Sequence, residues 1–213
     1  MKILRLLLIA CLFIPCISGG QQRYYIYGVF ENYFPFSPFE TTFSALFKNL
    51  NSDPQLLNKS LHKRTDTSLF SFSGDYDNYA RGILRKTNVE IKLNEVIVEF
   101  EDSLNKKDTF FQYQVVYDYN NSNAGPGYVK KIFSDFGKEY HGPFTSNKDF
   151  EIKDNNTSIG LTRNYFIQFA PVSPLTVGWV KINNSESIFT IAVRFKLIQD
   201  ELIIYVPELK KSP

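Results

Sequence analysis

The chain has 213 residues, with 24 Lys and Arg against 22 Asp and Glu, and 43% of its residues are hydrophobic. This length is sufficient for one good hydrophobic core, and the nearly balanced charge gives no indication of a nucleic acid or an anionic membrane as partner. Only two cysteines are present, Cys11 and Cys16.

The first twenty residues have the pattern of a secretory signal. Lys2 and Arg5 precede an apolar run over Leu6–Ile17, and the small residues Ser18–Gly20 follow it. The run is shorter than the roughly 20 residues that span a bilayer, and polar residues come directly after it. We predict a cleaved signal over residues 1–20 and an extracellular, secreted protein, with an uncleaved anchor as the alternative. No later stretch is apolar enough to cross a membrane.

Cleavage of this signal changes the chemistry available to the mature chain. It removes both cysteines together with Lys2 and Arg5, which leaves 22 basic and 22 acidic residues. Disulfides, cysteine nucleophiles and thiolate metal sites are then excluded. The fold is expected to depend on its core alone.

Residues 21–88 are mixed in character. A strand is predicted over Arg23–Phe30 because this segment is aromatic and β-branched. Thr41-Thr42 is a plausible cap for a short helix, and a second short helix is predicted around Leu56, Leu57 and Leu61. The first helix has apolar residues at positions i, i+3, i+4 and i+7, namely Phe43, Leu46, Phe47 and Leu50. We predict a small mixed α/β N-terminal appendage.

Residues 89–207 have the alternating pattern of β-strands, and residues 208–213 form a short tail. In Phe110–Tyr119 and in Ile188–Ile198 the odd positions are apolar or aromatic, whereas the even positions are mostly polar. Period two places one set of side chains on each face of a sheet. Further strands are predicted over residues 128–133, 148–153, 159–169, 175–182 and 201–206. Many short strands separated by turns favour an all-β fold, an antiparallel β-sandwich.

The alternation reverses inside one strand. Val89 and Leu93 occupy odd positions, but Val96 and Val98 occupy even ones. A β-bulge or a tight turn near Asn94-Glu95 would produce this reversal.

Asn-x-Ser/Thr sequences predict exposed loops with N-glycosylation acceptors in a secreted protein. The alternative is an Asn-rich loop composition without glycans. The acceptors are Asn58, Asn120, Asn155, Asn156 and Asn183.

No catalytic or metal-binding arrangement is visible. His62 and His141 lie in different regions, and neither belongs to a motif with metal-ligand spacing. Glu99 and Glu101 point the same way from one strand, which is typical of a solvated face rather than of two acids opposed across a cleft. We therefore predict a non-catalytic protein without a metal or cofactor.

Aromatic residues make up 16% of the chain and include a single Trp. Most of these rings are needed for a core. Rings near turns or polar residues are candidates for stacking against the apolar face of a sugar, whose hydroxyl groups would bond to nearby polar side chains. The candidates for carbohydrate binding are Trp179, Tyr128, Tyr140 and Tyr119.

Two segments are similar to carbohydrate-binding module family 49. The first is Thr109–Val116 followed by Asn120-Asn121, and it resembles the family's aromatic-Gln-Tyr strand with its Asn-containing turn. The second is Pro174–Val180 with Ile188–Ile191, and it resembles the family's strand with a Gly-aromatic pair and the strand after it. The similarity covers residues from about 91 to 195. It implies a β-sandwich that binds cellulose or a related β-glucan.

The sequence thus leads to one principal hypothesis, a secreted carbohydrate-binding protein whose partner is a polysaccharide. The alternative is a secreted lipid-binding or pore-forming β-sandwich protein. A hydrolase with a sandwich fold is a third hypothesis, and it would depend on Glu99 or Glu101.

Overall fold

The structure is a computed structural model of the full chain. It describes residues 32–39, 41–80, 87–99, 107–120, 125–139, 144–146, 149–167 and 175–204. The predicted signal over residues 1–20, the predicted strand over Arg23–Phe30 and the tail over 208–213 lie outside the described residues.

The described residues form two helices and ten strands. The helices are α1 (Phe43–Ser52) and α2 (Gly125–Glu139). The strands are β1 (Leu57–His62), β2 (Ser71–Tyr79), β3 (Thr87–Glu99), β4 (Lys107–Asp118), β5 (Phe144–Ser146), β6 (Phe150–Asp154), β7 (Thr157–Ile167), β8 (Leu175–Lys181), β9 (Ser187–Ile198) and β10 (Glu201–Ile204). Neither helix has the length and apolar character required to cross a bilayer, and the same holds for every helical stretch in the described part of the chain.

All ten strands belong to one antiparallel sheet. Its order is β1-β2-β3-β4-β9-β8-β7-β5, with β6 also paired to β7 and β10 paired to β9. The predicted all-β antiparallel class is therefore confirmed. The predicted packing of two separate sheets is not confirmed, because the pairings join every described strand to a single sheet.

The sheet has one buried and one accessible face, as alternation predicts. On β4, Tyr113, Val115 and Tyr117 are buried, whereas Gln112 and Gln114 between them are half-buried. We call the first side the inner face and the opposite side the outer face. On β9 the same alternation buries Phe189, Ile191, Val193 and Phe195.

Helices α1 and α2 and residues 32–39 cover the inner face. Their buried residues belong to the same hydrophobic cluster as those of the sheet. The ring centroids of Phe34 and Tyr113 lie 4.9 Å apart, and those of Tyr33 and Phe136 lie 5.4 Å apart. The Tyr117 hydroxyl also donates a hydrogen bond to the carbonyl of Tyr33. Most of the aromatic content of this chain therefore serves the core.

The first predicted helix is confirmed as α1. The Thr42 hydroxyl accepts a hydrogen bond from the amide of Ala45 at 3.1 Å, which satisfies one of the donors left free at a helix start. Leu46 and Leu50 are buried on its sheet-facing side.

The second predicted helix is wrong, since Leu57 and Leu61 lie in strand β1. A short apolar run does not distinguish helix from strand, and pairing with the neighbouring strand decides the outcome here. β1 pairs with β2, and β2 pairs with β3 from Ser71 to Tyr79. Residues 57–79 thus extend the same sheet as residues 87–204.

The predicted strand over residues 128–133 is wrong because this segment lies within α2. Val129, Ile132, Phe133 and Phe136 are buried, and their spacing of i, i+3, i+4 and i+7 gives one apolar stripe of a helix. A pattern of six residues is too short to distinguish the period of a strand from that of a helix.

The predicted bulge near Asn94-Glu95 is also wrong. β3 pairs with β4 without interruption from Asn88 opposite Asp118 to Glu99 opposite Lys107. The alternation reverses because Glu95 occupies a buried inner-face position. Its carboxylate accepts hydrogen bonds from Arg64 Nη1 at 3.1 Å and from the Phe70 amide at 2.9 Å, so the buried charge is compensated.

Arg163 joins α2 to the sheet through its guanidinium group. Arg163 on β7 binds Asp149 through Nε at 2.7 Å and Nη2 at 3.0 Å. Its guanidinium lies 4.6 Å from the centre of the Phe133 ring of α2. A Cβ atom at Gly137 would approach Arg163 Nη1 to 1.9 Å, so a larger residue at this position would displace the guanidinium.

The two glycines of the β7–β8 pair allow a test of this packing. A Cβ atom at Gly160 would lie 2.1 Å from the Trp179 carbonyl oxygen, whereas one at Gly178 would make only ordinary contacts of 3.9 Å or more. We expect Gly160→Ala to lower the free energy of unfolding by about 1–3 kcal/mol. Gly178→Ala is the matched control and should change it little. Urea denaturation measures both, and equal stability of the two variants would contradict the β7–β8 geometry.

Candidate functional site

The outer face carries side chains from eight strands in one row. Strand register aligns them directly opposite one another, and neighbouring strands lie about 4.8 Å apart. From β6 to β1 the row consists of Phe150, Thr162, Gly178, Thr190, Val116, Glu90, Asp75 and Leu57. Residues far apart in sequence therefore share one continuous surface.

A second row runs parallel to the first over the central strands. It consists of Asn164, Thr176, Ala192, Gln114, Lys92 and Ser73. Thr176 Oγ1 donates to Asn164 Oδ1 at 2.9 Å, and Gln112 Nε2 donates to Gln114 Oε1 at 3.2 Å. These contacts hold the amide and hydroxyl groups in fixed positions.

We define the neutral patch as the uncharged segments of the two rows that run from Phe150 to Thr190 and from Asn164 to Gln114. Its members are Phe150, Thr162, Gly178, Thr190, Asn164, Thr176, Ala192 and Gln114. The patch crosses five strands, and four spacings of about 4.8 Å give it a length of roughly 19 Å. It offers short hydroxyl and amide side chains around the flat position at Gly178.

Phe150 supplies the aromatic ring of the neutral patch. Its side chain is 49% exposed, and it is the only aromatic among the exposed large hydrophobic residues of the described segments. It lies directly opposite Thr162 at the β6 edge. An exposed ring beside hydroxyl groups is the combination that a sugar ring with an apolar face requires.

The other end of the outer face contains a cavity of about 550 Å³, which we call the acidic pocket. It is lined by Leu57, Asn58, Asp75, Tyr76, Asp77, Asn88, Val89, Glu90, Val116, Asp118 and Ile188. Four of these residues are carboxylates, and none is Lys or Arg. The pocket thus presents mainly hydrogen-bond acceptors to a ligand.

The carboxylates of the acidic pocket differ in their partners. Asp75 accepts a hydrogen bond from Asn58 Nδ2 at 3.2 Å, and Lys92 Nζ lies 2.7 Å from Glu90 Oε1. Asp118 Oδ2 accepts from Asn120 Nδ2 at 3.2 Å, but its Oδ1 is buried without a hydrogen-bond partner. Burial is the main cause of a raised pKa at Asp118.

These carboxylates are not arranged as a metal centre. Within the residues that the structure describes, no three His, Cys, Asp or Glu side chains are grouped closely enough to hold a metal ion. His62 ends the exposed strand β1, whereas His141 and Glu101 lie outside the described residues.

The described aromatic residues that were predicted to stack against a sugar do not lie in the neutral patch. Trp179 is on the inner face and only 9% exposed, with Lys130 Nζ 5.7 Å from the centre of its ring. Tyr119 is fully buried, and Tyr128 packs edge-on against it at 6.0 Å between centroids. Tyr140 lies outside the described residues. Trp179, Tyr119 and Tyr128 therefore form no exposed platform, because each belongs to or adjoins the core beneath α2.

The five predicted glycosylation acceptors are all exposed. Asn155 and Asn156 form the β6–β7 turn with positive φ angles of 45° and 66°, and Asn183 lies in the β8–β9 hairpin. Asn58 is in β1 and Asn120 follows β4. Their exposure agrees with the predicted accessibility, and their occupancy by glycans stays a prediction.

No family model matches this sequence, no curated protein is detectably similar to it, and no solved structure is detectably similar to its fold. The similarity of two segments to carbohydrate-binding module family 49 is thus carried by those residues alone.

The fluorescence of Trp179, the only tryptophan of the chain, tests whether its ring is buried and away from a bound sugar. Because its ring is buried, we expect blue-shifted native fluorescence that acrylamide quenches weakly, and a red shift on unfolding. Soluble cello-oligosaccharides should leave the native spectrum unchanged. A spectral shift on adding sugar would place the ligand near Trp179 instead of on the outer face.

Asp118→Asn tests the electrostatics of the acidic pocket. A raised pKa means that the folded chain binds the proton of Asp118 more readily than the unfolded chain, so this contribution to stability declines as pH rises through that range. An asparagine carries no charge. The variant should therefore be more stable than the parent at pH 7 and similar to it near pH 3. Urea denaturation at both pH values measures this, and a pH-independent difference would argue against it.

Proposed function

We propose that this chain is a secreted, non-catalytic protein that binds a neutral polysaccharide, with cellulose or a related β-glucan as the first ligand to test. The single observation that supports this most is the neutral patch. It combines an exposed ring with ordered hydroxyl and amide groups on an open sheet face.

The chemistry of the neutral patch matches that of an uncharged glycan. The C–H face of a sugar ring lies against the exposed ring of Phe150. Its hydroxyl groups donate to and accept from Asn164, Thr176 and Gln114, whose side chains offer both functions. Since the ligand is neutral, no charged residue is required in the patch.

The length of the patch favours a chain over a single sugar. A surface of roughly 19 Å exceeds the length of one pyranose ring several times over. Binding along such a surface adds several weak contacts from successive sugar units. A polymer is therefore a better ligand than a monosaccharide.

Phe150→Ala is the central test. We expect it to weaken binding to insoluble cellulose about tenfold, corresponding to roughly 1.4 kcal/mol, without loss of stability, because the ring is exposed. Ile182→Ala is the matched control, since Ile182 is 51% exposed but lies in the β8–β9 turn outside the patch. Pull-down isotherms measure both variants.

Three results would contradict the proposal. Parent protein that stays wholly in the supernatant removes cellulose as ligand, and equal binding by both variants removes Phe150 from the site. Leakage of lipid vesicles without polysaccharide binding would favour the pore-forming alternative. An assay of reducing sugar in the same tubes checks that the protein is non-catalytic. Release of reducing sugar by the parent but not by Asp118→Asn would indicate a hydrolase.

A further inference from the structure

The acidic pocket adjoins one glycosylation acceptor directly. Asn58 is among the residues that line it and belongs to the acceptor sequence Asn58-Lys59-Ser60. Its Nδ2, the atom to which an N-glycan is attached, lies 3.2 Å from Asp75 Oδ2 in the pocket wall. We infer that an N-glycan on Asn58 seats its first sugar residues in the acidic pocket. The inference rests on the secretion of the protein, which is part of the proposed function, and not on its binding of polysaccharide.

Local backbone geometry turns the Asn58 side chain toward the pocket. Leu57 lies opposite Asp75 on the outer face, so the next residue of a regular strand would face inward. Asn58 instead has φ of 48°, and the pairing of β1 with β2 is irregular between Leu57 and Ser60. Asparagine tolerates this left-handed conformation. The irregularity brings its amide back to the outer face.

The lining of the pocket suits hydroxyl donors. Sugar hydroxyl groups donate to carboxylates, and such charge-assisted bonds are stronger than neutral ones. Asp77 lines the pocket and is exposed, so its carboxylate is one such acceptor. The Asn58 amide keeps one N–H after glycosylation and can still donate to Asp75. Leu57 and Ile188 offer apolar contacts to the C–H faces, and a cavity of about 550 Å³ lies in the range of small-ligand pockets.

Three of the other four acceptors provide internal controls, whereas Asn120 is not used because its Nδ2 donates to Asp118 of the pocket. Asn155 and Asn156 lie in the β6–β7 turn, and the Nδ2 of Asn183 donates to Glu186 within its own hairpin. None of these three lines the acidic pocket. Glycans on these three acceptors are expected to project into solvent, so the protein should hold the Asn58 glycan but not theirs.

Endoglycosidase digestion of the native protein tests the inference. The full chain, including residues 1–20, is expressed in a eukaryotic secretory host, and glycopeptide mass spectrometry gives the occupancy of each acceptor. We expect Asn58 to be occupied. We also expect its glycan to be released at least about tenfold more slowly than those on the control acceptors. After denaturation all glycans should be released at similar rates.

Two sets of variants separate seating in the pocket from simple crowding. Asp77→Ala removes a pocket carboxylate but keeps the acceptor, and it should speed release at Asn58 alone. Ser60→Ala abolishes the acceptor, whereas Ser60→Thr preserves it. We expect only Ser60→Ala to lower the melting temperature relative to the glycosylated parent.

Each of three results would overturn the inference. The first is an Asn58 that carries no glycan, and the second is release of glycans from Asn58 and the control acceptors of the native protein at the same rate. The third is a rate of glycan release at Asn58 that Asp77→Ala leaves unchanged. Secreted protein with such a result can still bind cellulose, so the proposed function would stand. A seated glycan without cellulose binding would leave the inference intact and remove the proposed ligand.

Discussion

Burial of aromatic rings against one face of the sheet is the interaction on which the rest of this structure depends. Tyr113 and Tyr117, in the central strand β4, are fully buried, and burial raises the pKa of both well above the usual value for tyrosine. Tyr117 also fixes residues 32–39 through the carbonyl of Tyr33. If the chain is cleaved after residue 20, no cysteine remains to form a disulfide, and this core alone holds the covering segments in place.

The segments that cover the inner face leave the outer face as the surface on which a ligand can bind. Helices α1 and α2 and residues 32–39 occupy the side that carries the large rings, and the outer face keeps its short polar side chains in contact with solvent. The same asymmetry explains the absence of an exposed aromatic platform among Trp179, Tyr119 and Tyr128. Among the described residues, Phe150 is the aromatic residue that stays exposed on the outer face.

Sequence patterns predicted the elements whose period was long and regular. The alternation in β4 and β9 and the apolar stripe of α1 were sufficient because ten or more residues repeat one period. The position of Glu95 in β3 was not predictable, because its partners Arg64 and Phe70 come from another part of the chain. The helix α2 differs from the prediction because six residues do not distinguish alternation from the helical period. The neutral patch was not predictable, since alternation gives the face of Thr190 or Thr162 but not which strands become neighbours.

The alignment of the outer row has a consequence for how the protein tolerates change. Phe150, Gly178, Thr190 and Asp75 lie in one row only because six separate pairings keep their register. One residue inserted within a strand would move every following side chain of that strand to the opposite face of the sheet and interrupt the row. A longer connecting loop would leave all the strand pairings unchanged. Homologous chains that keep this surface should therefore differ in loop length far more than in strand length.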